Sequence, residues 1–393
     1  MKMASQVDVV ILDFEKAFDT VAHQRLLRKL LYYGITGDVH HWIANWLIGR
    51  GQCVIVDGEK SATQSVESGV PQGTVLGPIL FLVYINDIAE EVQADARLFA
   101  DDGLLFRVIE SVDDAQALQS DINKVALWSK KWQMRFNATK CYIMRITRKH
   151  HPIIFHYSMH GHILKVKDHH PYLGIELDNT LSWNDHIKKT TAKAHKTLNF
   201  LRRNLYRCPT NVKEAAYKTM VRPTLEYACS AWDPGDVGQI KALEKVQRKA
   251  ARFVTSDWSY CTSVTDLMKS LEWQSLQERR IIRRLVLFYQ AKHRLFAIHM
   301  PPYVQPPPRL PARRHDQQFN PITCHTNSYM DSFWPRTISS WNYLPAHIVE
   351  STTPATLKAS LTRAFNTGEL RLAPSRDPLA RITGAECAGT ILF

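Results

Sequence analysis

A short apolar run that stops on an acid constrains this chain more than any other feature in it. Val7 to Asp13 reads Val-Asp-Val-Val-Ile-Leu-Asp, which predicts a buried strand with a carboxylate at its end. Much later, Leu98–Phe99 and Leu104–Val108 read as two further strands that meet at Ala100-Asp101-Asp102-Gly103, a hairpin tip. Three carboxylates gathered without counterions would repel one another by about 4 kcal/mol per pair at contact range. Around divalent cations the same gathering makes sense, because Mg²⁺, or Mn²⁺ in its place, takes carboxylate and phosphate oxygens. An Asp-Asp pair alone says little. Asp113-Asp114 repeats it and reads as the acidic first turn of a helix.

Charge is divided along the chain. Residues 1–122 hold 9 Lys and Arg against 18 Asp and Glu, whereas residues 123–300 hold 32 against 13. A basic stretch of that size points to a polyanionic partner. The acidic stretch must then tolerate negative charge near nucleic acid, as bound metal ions would allow. Hydrophobic residues, at 45% of 393, suffice for two or three domains. The longest apolar run, Ile79 to Ile85, is far too short to span a bilayer. Asp8 and Asp13 lie inside the first apolar stretch, which argues against a secretory leader. Seven scattered cysteines, never in C-x-x-C spacing, argue for a reducing, intracellular setting without disulfides or a zinc knuckle. Seven of the 17 histidines fall between His150 and His170, but with no helical spacing and no cysteine they do not read as a zinc site.

Periodicity supplies the remaining elements. Leu26, Leu27, Leu30 and Leu31 fall at helical spacing before Gly34. Gln52–Asp57 and Thr63–Ser68 read as a hairpin around Asp57-Gly58. Gly69-Val70-Pro71-Gln72-Gly73 is a loop leading to an apolar helix over 75–88, and an amphipathic helix covers about 112–134. Short strands continue to Ile175, and helices rich in Lys and Arg follow from Leu181 to about Ile298. Pro301–Pro311 is a proline-rich linker, and one late helix near Thr356–Phe365 belongs to a loosely attached tail. The fold class is α+β, with boundaries expected at 1–178, 179–300 and 301–393.

The order of the motifs adds a further reading. Leu12-Asp13-Phe14-Glu15-Lys16-Ala17-Phe18-Asp19, Gly69-Val70-Pro71-Gln72-Gly73, Phe99-Ala100-Asp101-Asp102, Asn137-Ala138-Thr139-Lys140 and Tyr172-Leu173-Gly174 follow one another at workable intervals. Together they resemble the palm of reverse transcriptases from retrotransposons without long terminal repeats. Arg222-Pro223-Thr224-Leu225-Glu226-Tyr227-Ala228 and Gln247-Arg248-Lys249-Ala250-Ala251-Arg252-Phe253 look like the thumb region of jockey-type elements. Phe333-Trp334-Pro335-Arg336 and Trp341-Asn342-Tyr343-Leu344-Pro345 resemble their tail. Gly103 departs from the pattern, which commonly has a small polar residue there.

The resemblance implies an RNA-directed DNA polymerase with a palm at 1–178, a basic helical thumb at 179–300 and a C-terminal extension. It implies two metal ions on Asp13, the Phe14 carbonyl, Asp101 and Asp102. Phe18 is implied as the aromatic beneath the incoming sugar, Gln72 and Gly73 as nucleotide and template contacts, and Lys140 as a general acid for pyrophosphate. Asp19 is read as a local tie for its loop. Partners would be an RNA template, a DNA primer and deoxynucleoside triphosphates, with no membrane, in the nucleus or a cytoplasmic ribonucleoprotein. Lys188, Lys189, Lys193 and Lys196 form one basic stripe and Arg279, Arg280, Arg283 and Arg284 a second, each weighed as phosphate contacts against a solvated face. Trp128 and Trp132 read as core residues. Few residues precede Asp13, so fingers are expected to be missing and the chain alone to bind primer–template without extending it. The competing expectation is a relic that binds nucleic acid but does not polymerise. An RNA-dependent RNA polymerase would share the aspartates but fits Phe18 and the thumb segments poorly.

Overall fold

Strand β1 (Gln6–Asp13) is buried on both faces, so it needs cover on both. In the computed structural model, which describes residues 6–308, 315–372 and 380–381, it is the central strand of the first of two compact units, Met1–Leu181 and Ser182–Phe393. After β1 come a 3₁₀ turn (Ala17–Asp19), α1 (His23–Tyr32) and α2 (Gly37–Leu47). A small arm follows: β2 (Arg50–Gln52), β3 (Ile55–Val56), β4 (Glu59–Lys60) and β5 (Gln64–Val66), with β3 and β4 turning at Asp57-Gly58. Then come α3 (Leu76–Ile85), the hairpin β6 (Asp95–Phe99) and β7 (Asp102–Ile109), α4 (Val112–Trp132) and β8 (Tyr142–Ile146). Short strands close the unit: β9 (Ser158–Met159), β10 (His162–Ile163), β11 (Lys165–Val166), β12 (His169–Tyr172) and β13 (Ile175–Asp178).

Five strands form one sheet in the order β11-β8-β1-β7-β6, antiparallel except for β11 on β8. Strand alternation sorts the side chains. Val10 and Leu12 pack with Leu26 and Leu30 of α1, Phe81 and Tyr84 of α3, and Leu118, Ile122 and Trp128 of α4. Val9 and Ile11 face the other way, with Leu104 and Met144, beneath Tyr172 and Leu177 of the β12–β13 hairpin. Both tryptophans of α4 therefore serve the helical core, as their spacing predicts.

Two buried charges fasten this unit. Lys29 of α1 donates to Asp87 at 2.6 Å and to the Tyr84 carbonyl, with its ammonium 3.8 Å from the Trp132 ring centre. Asp8 accepts from Tyr157 at 2.8 Å and from Gln6 at 3.0 Å, with Arg145 at 3.4 Å. At the start of α4, Ser111 and Asp114 form a capping box, so Asp113-Asp114 is the acidic first turn that the sequence predicts.

The second unit is helical: α5 (Asn184–Asn204), α6 (Thr210–Ala216), a π-helical turn (Tyr217–Val221), α7 (Arg222–Glu226), α8 (Cys229–Trp232), α9 (Val237–Thr255), α10 (Val264–Ser270) and α11 (Leu276–Lys292). Beyond residue 300 lie α12 (Asn327–Met330), α13 (Phe333–Asn342), α14 (Ala346–Val349), α15 (Pro354–Thr367) and the pair β14 (Leu370–Arg371) and β15 (Ala380–Arg381). Here the expected loose tail is corrected. Ile281, Ile282, Leu285, Phe288 and Tyr289 of α11 share one core with Ile338, Trp341, Leu357, Leu361 and Phe365. The apolar face of α11 finds its cover in those later helices. Part of the proline-rich stretch, 309–311, and part of the tail, 373–379 and 382–393, lie outside the described residues. No helix among the described residues is long and apolar enough to cross a membrane.

Candidate functional site

The register of β1 against β7 decides where the acids meet. Asp13 is the partner of Asp102, and Ile11 of Leu104. Both carboxylates therefore leave the sheet on the Val9–Ile11 face, from Cα atoms about 4.5–5.5 Å apart as antiparallel partners are. Phe99 also pairs with Asp102, so Asp101 and Ala100 form a two-residue loop, and Ala100 holds a left-handed φ of 50°. Asp13 is half-buried, while Asp101 and Asp102 are exposed. Phe14 bridges Phe136, ring stacked on ring at 4.3 Å. Across that bridge the Glu15 amide donates to the Arg135 carbonyl and the Asn137 amide to the Asp13 carbonyl, each at 2.8 Å. Alternation then turns the Phe14 carbonyl to the opposite edge, towards the strand of Asp102.

Electrostatics agree with this crowding. Burial raises the Asp13 carboxyl above its ordinary value, with Asp101 adding to the shift and Lys140 and His170 opposing it. Burial likewise raises Asp102, reinforced by Asp101 and Asp13 and opposed by His170. Lys140 is exposed and held by its own amide on the Asn137 carbonyl at 2.8 Å, near enough to favour ionised Asp13. Cys141 lies against the strand end, its sulfur accepting from the Asp13 amide at 3.4 Å. Burial pushes its thiol up to about 11, which leaves it unreactive near neutrality.

The loop at 69–73 is laced to the turn that carries Phe18 and Asp19. Val70 donates to the Phe18 carbonyl and Ser68 to the Asp19 carbonyl, both at 2.8 Å, and Gln72 reaches Asp19 Oδ1 at 3.4 Å. Asp19 is thus the local tie that the sequence suggests. Gly69 has φ 91°, and a Cβ there would meet Asp19 Cα, Asp19 O and Phe18 O at 2.9 Å. The close approach that a glycine permits occurs at Gly69; Gly73 faces open space. Phe18 is partly buried and stacks on Phe81 at 4.4 Å.

The family model for Reverse transcriptase (RNA-dependent DNA polymerase) matches residues 2–177. Residues 2–177 are a reverse transcriptase domain. The chain is 28% identical over 294 residues to a probable RNA-directed DNA polymerase from transposon BS of Drosophila melanogaster, covering 69% of this chain and 31% of that protein. It is 28% identical over 261 residues to the RNA-directed DNA polymerase from mobile element jockey of Drosophila funebris, covering 62% and 28%. The chain thus spans less than a third of the length of these curated relatives. Apo telomerase from Candida tropicalis aligns with 70% of this chain and 45% of its own at 10% identity and a TM-score of 0.39, a level that says nothing about activity.

Within the reverse transcriptase domain, sequence reasoning missed His170. It was visible only as one of a histidine cluster tested for zinc. The ring lies 5.7 Å from that of Tyr142, and burial, with Lys167, holds it below the usual histidine range while Asp102 and Asp13 pull the other way. Its position two residues before Tyr172-Leu173-Gly174 was the available signal.

In the second unit, Lys188, Lys189, Lys193 and Lys196 are exposed on α5, with Lys188 3.6 Å from Asp185. The arginine stripe is a correction. Arg279 and Arg283 pair with buried Glu226, and Arg280 and Arg284 with buried Asp233, so these side chains are engaged with buried acids at the ends of α7 and α8. A basic face that was missed runs along α9. Lys241, Lys245, Arg248, Lys249 and Arg252 recur turn by turn and line a cleft of about 540 Å³ with Glu244 and Val264. Arg252 also donates to the carbonyls of Asp257, Ser259 and Thr262, closing the turn after the helix.

Proposed function

We propose that this chain is the palm and thumb portion of an RNA-directed DNA polymerase of a retrotransposon lacking long terminal repeats. In this reading a primer 3′-hydroxyl attacks the α-phosphate of a deoxynucleoside triphosphate paired to an RNA template. The observation that carries the reading is the pairing of Asp13 with Asp102 at adjoining strand ends, with Asp101 in the loop between Phe99 and Asp102. Three carboxylates and the Phe14 carbonyl make an all-oxygen donor set, which fits Mg²⁺ or Mn²⁺. Burial first, and then the neighbouring acids, raise the Asp13 and Asp102 carboxyls, and a divalent cation bound between them would offset both costs. Bound there, two such ions would neutralise the triphosphate and activate the attacking hydroxyl.

The remaining roles fall to side chains. Phe18, braced on Phe81, would bound the sugar from below and exclude a 2′-hydroxyl. Gln72 and Gly73 would line the nucleotide and template. Lys140, beside Asp13, would give a proton to departing pyrophosphate. The exposed lysines of α5 and the basic face of α9 would contact phosphates of the primer–template. The first unit would then be the palm, and the second the thumb with its extension. Asp101→Asn, in a polypeptide that contains this chain, is expected to abolish Mg²⁺-dependent extension of a DNA primer on RNA while leaving template binding intact or tighter. Extension retained at the wild-type rate would overturn the assignment.

A further inference from the structure

The loop that joins α9 to α10, residues 256–263, carries two aromatic side chains on its outside. Tyr260 is fully exposed. Trp258 is 47% exposed even though Arg202 of α5 lays its guanidinium 4.4 Å from the ring centre. Tyr260 buries no surface in the fold, so folding does not account for it, and large exposed rings side by side mark an interaction site.

The backbone beneath the two rings is tethered. Arg252 donates through Nη1 to the carbonyls of Asp257 and Ser259 at 3.2 and 2.9 Å, and through Nη2 to that of Thr262 at 3.1 Å. Asp257 Oδ1 accepts from the Ser259 amide at 2.9 Å, and Ser259 Oγ from the Cys261 amide at 3.2 Å. Trp258 and Tyr260 alternate with these tied residues, so both are presented from a held loop.

Arg252 also belongs to the cationic cleft of α9, and Val264, which lines the same cleft, is the first residue of α10. The loop therefore runs from one lining element of that cleft to the other. Lys241, Lys245, Arg248, Lys249 and Arg252 face two acids, Glu244 of the cleft and Asp257 of the loop, and both acids are engaged. Arg202 and Arg203 add two more cations at the end of α5. Aromatic rings set among cations suit a polyanion that carries flat apolar groups. A duplex offers phosphates and base edges, because its bases are already stacked on one another, whereas an unpaired strand offers base faces as well.

We propose that Trp258 and Tyr260 form a stacking platform for unpaired bases of the RNA template, with the phosphates of that strand along the cationic cleft of α9. The choice of template RNA rests on the polymerase reading above, but the stacking itself does not.

Binding of the full chain to an unstructured RNA of about 12 nucleotides, within the site sizes of such grooves, tests the platform. Tyr260→Ala, at a fully exposed position that the fold does not use, is expected to weaken it about fivefold. Trp258→Ala combined with Tyr260→Ala is expected to weaken it about 25-fold. The slope of log affinity against log salt should stay the same, because no charge is removed. Affinity for a blunt primer–template duplex should be unchanged. No loss on RNA would overturn the inference and leave the rings to a protein partner. An equal loss on the blunt duplex would overturn it too, making the loop a general duplex contact. An unpaired extension of the RNA strand should add affinity to the duplex, and the double variant should lose that gain. An equal gain from an extension of the DNA strand instead would overturn the assignment to the template. Asp101→Asn is expected to leave RNA affinity undiminished in all these measurements, so the platform and the polymerase reading can fail separately.

Discussion

Leu173 holds a φ of 48° in the turn between β12 and β13, followed by Gly174 at 77°. A branched side chain in that region costs on the order of 1 kcal/mol, whereas such two-residue turns favour Asn before Gly. Leu173→Asn is expected to stabilise the first unit by about 1 kcal/mol, read as a higher thermal midpoint. The hairpin packs Tyr172 on the face of Asp13 and Asp102, so primer extension by a longer polypeptide that carries the same substitution reads whether the strain serves the site. Stability gained with extension lost is the expected pairing. At this scale the acids were legible, because a strand that ends on Asp and a hairpin with Asp at its tip are local patterns. The fate of Arg280 and Arg284 was not legible. Whether an arginine on a helix faces solvent or an acid depends on Asp233, which no local spacing connects to it.

Helices α5 and α9 each present a basic stripe, and the two make separable predictions. Affinity for primer–template should fall steeply with salt as counterions are released. Neutralising Lys188, Lys189, Lys193 and Lys196 together is expected to flatten that slope, measured as log affinity against log salt. An unchanged slope would make α5 a solvated face, and the same experiment on Lys241, Lys245, Arg248 and Lys249 then tests α9. Within the first unit, Lys29 joins α1 to α3 and α4 through Asp87, the Tyr84 carbonyl and the Trp132 ring. Lys29→Met leaves Asp87 without its cation, and a loss of about 3 kcal/mol in denaturant unfolding is expected. Helix periodicity made α1 and α4 readable, but it described Lys29 only as a polar position. The cage depends on residues of three different helices.

The second unit makes residues beyond 300 part of its folding. Ending the chain at residue 300 would strip Trp341, Leu357 and Leu361 from the face of α11 and Arg336 from Asp233. Loss of cooperative unfolding in that unit is the expected result, checked by calorimetry. The same cluster sets its acid limit. Burial works against a charged Asp233, yet Arg336, Arg284 and Arg280 hold its carboxyl below the usual range. A depressed carboxyl contributes stability that is whole above the unfolded value, about pH 4, and is lost as pH falls further. The helical unit should accordingly stay folded at pH 5 and unfold below pH 4, and Asp233→Asn should already be unstable at neutral pH. The proline-rich stretch misled the sequence reading because proline marks extended chain without saying what lies on either side of it.

The placement of β1 at the middle of its sheet also bears on how the molecule is made. Its hydrogen-bonding partners are β7 and β8, both far downstream. A nascent chain therefore carries Val9, Val10, Ile11 and Leu12 as an unpaired strand until residues up to Ile109 have left the ribosome, and with one open edge until Ile146 has followed. Closing such long loops before any contact rewards them is slow, and a lone apolar strand is a template for association in the meantime. The first unit is expected to refold slowly and to aggregate above a threshold concentration, with amides of β1 gaining protection from exchange only when those of β7 and β8 do.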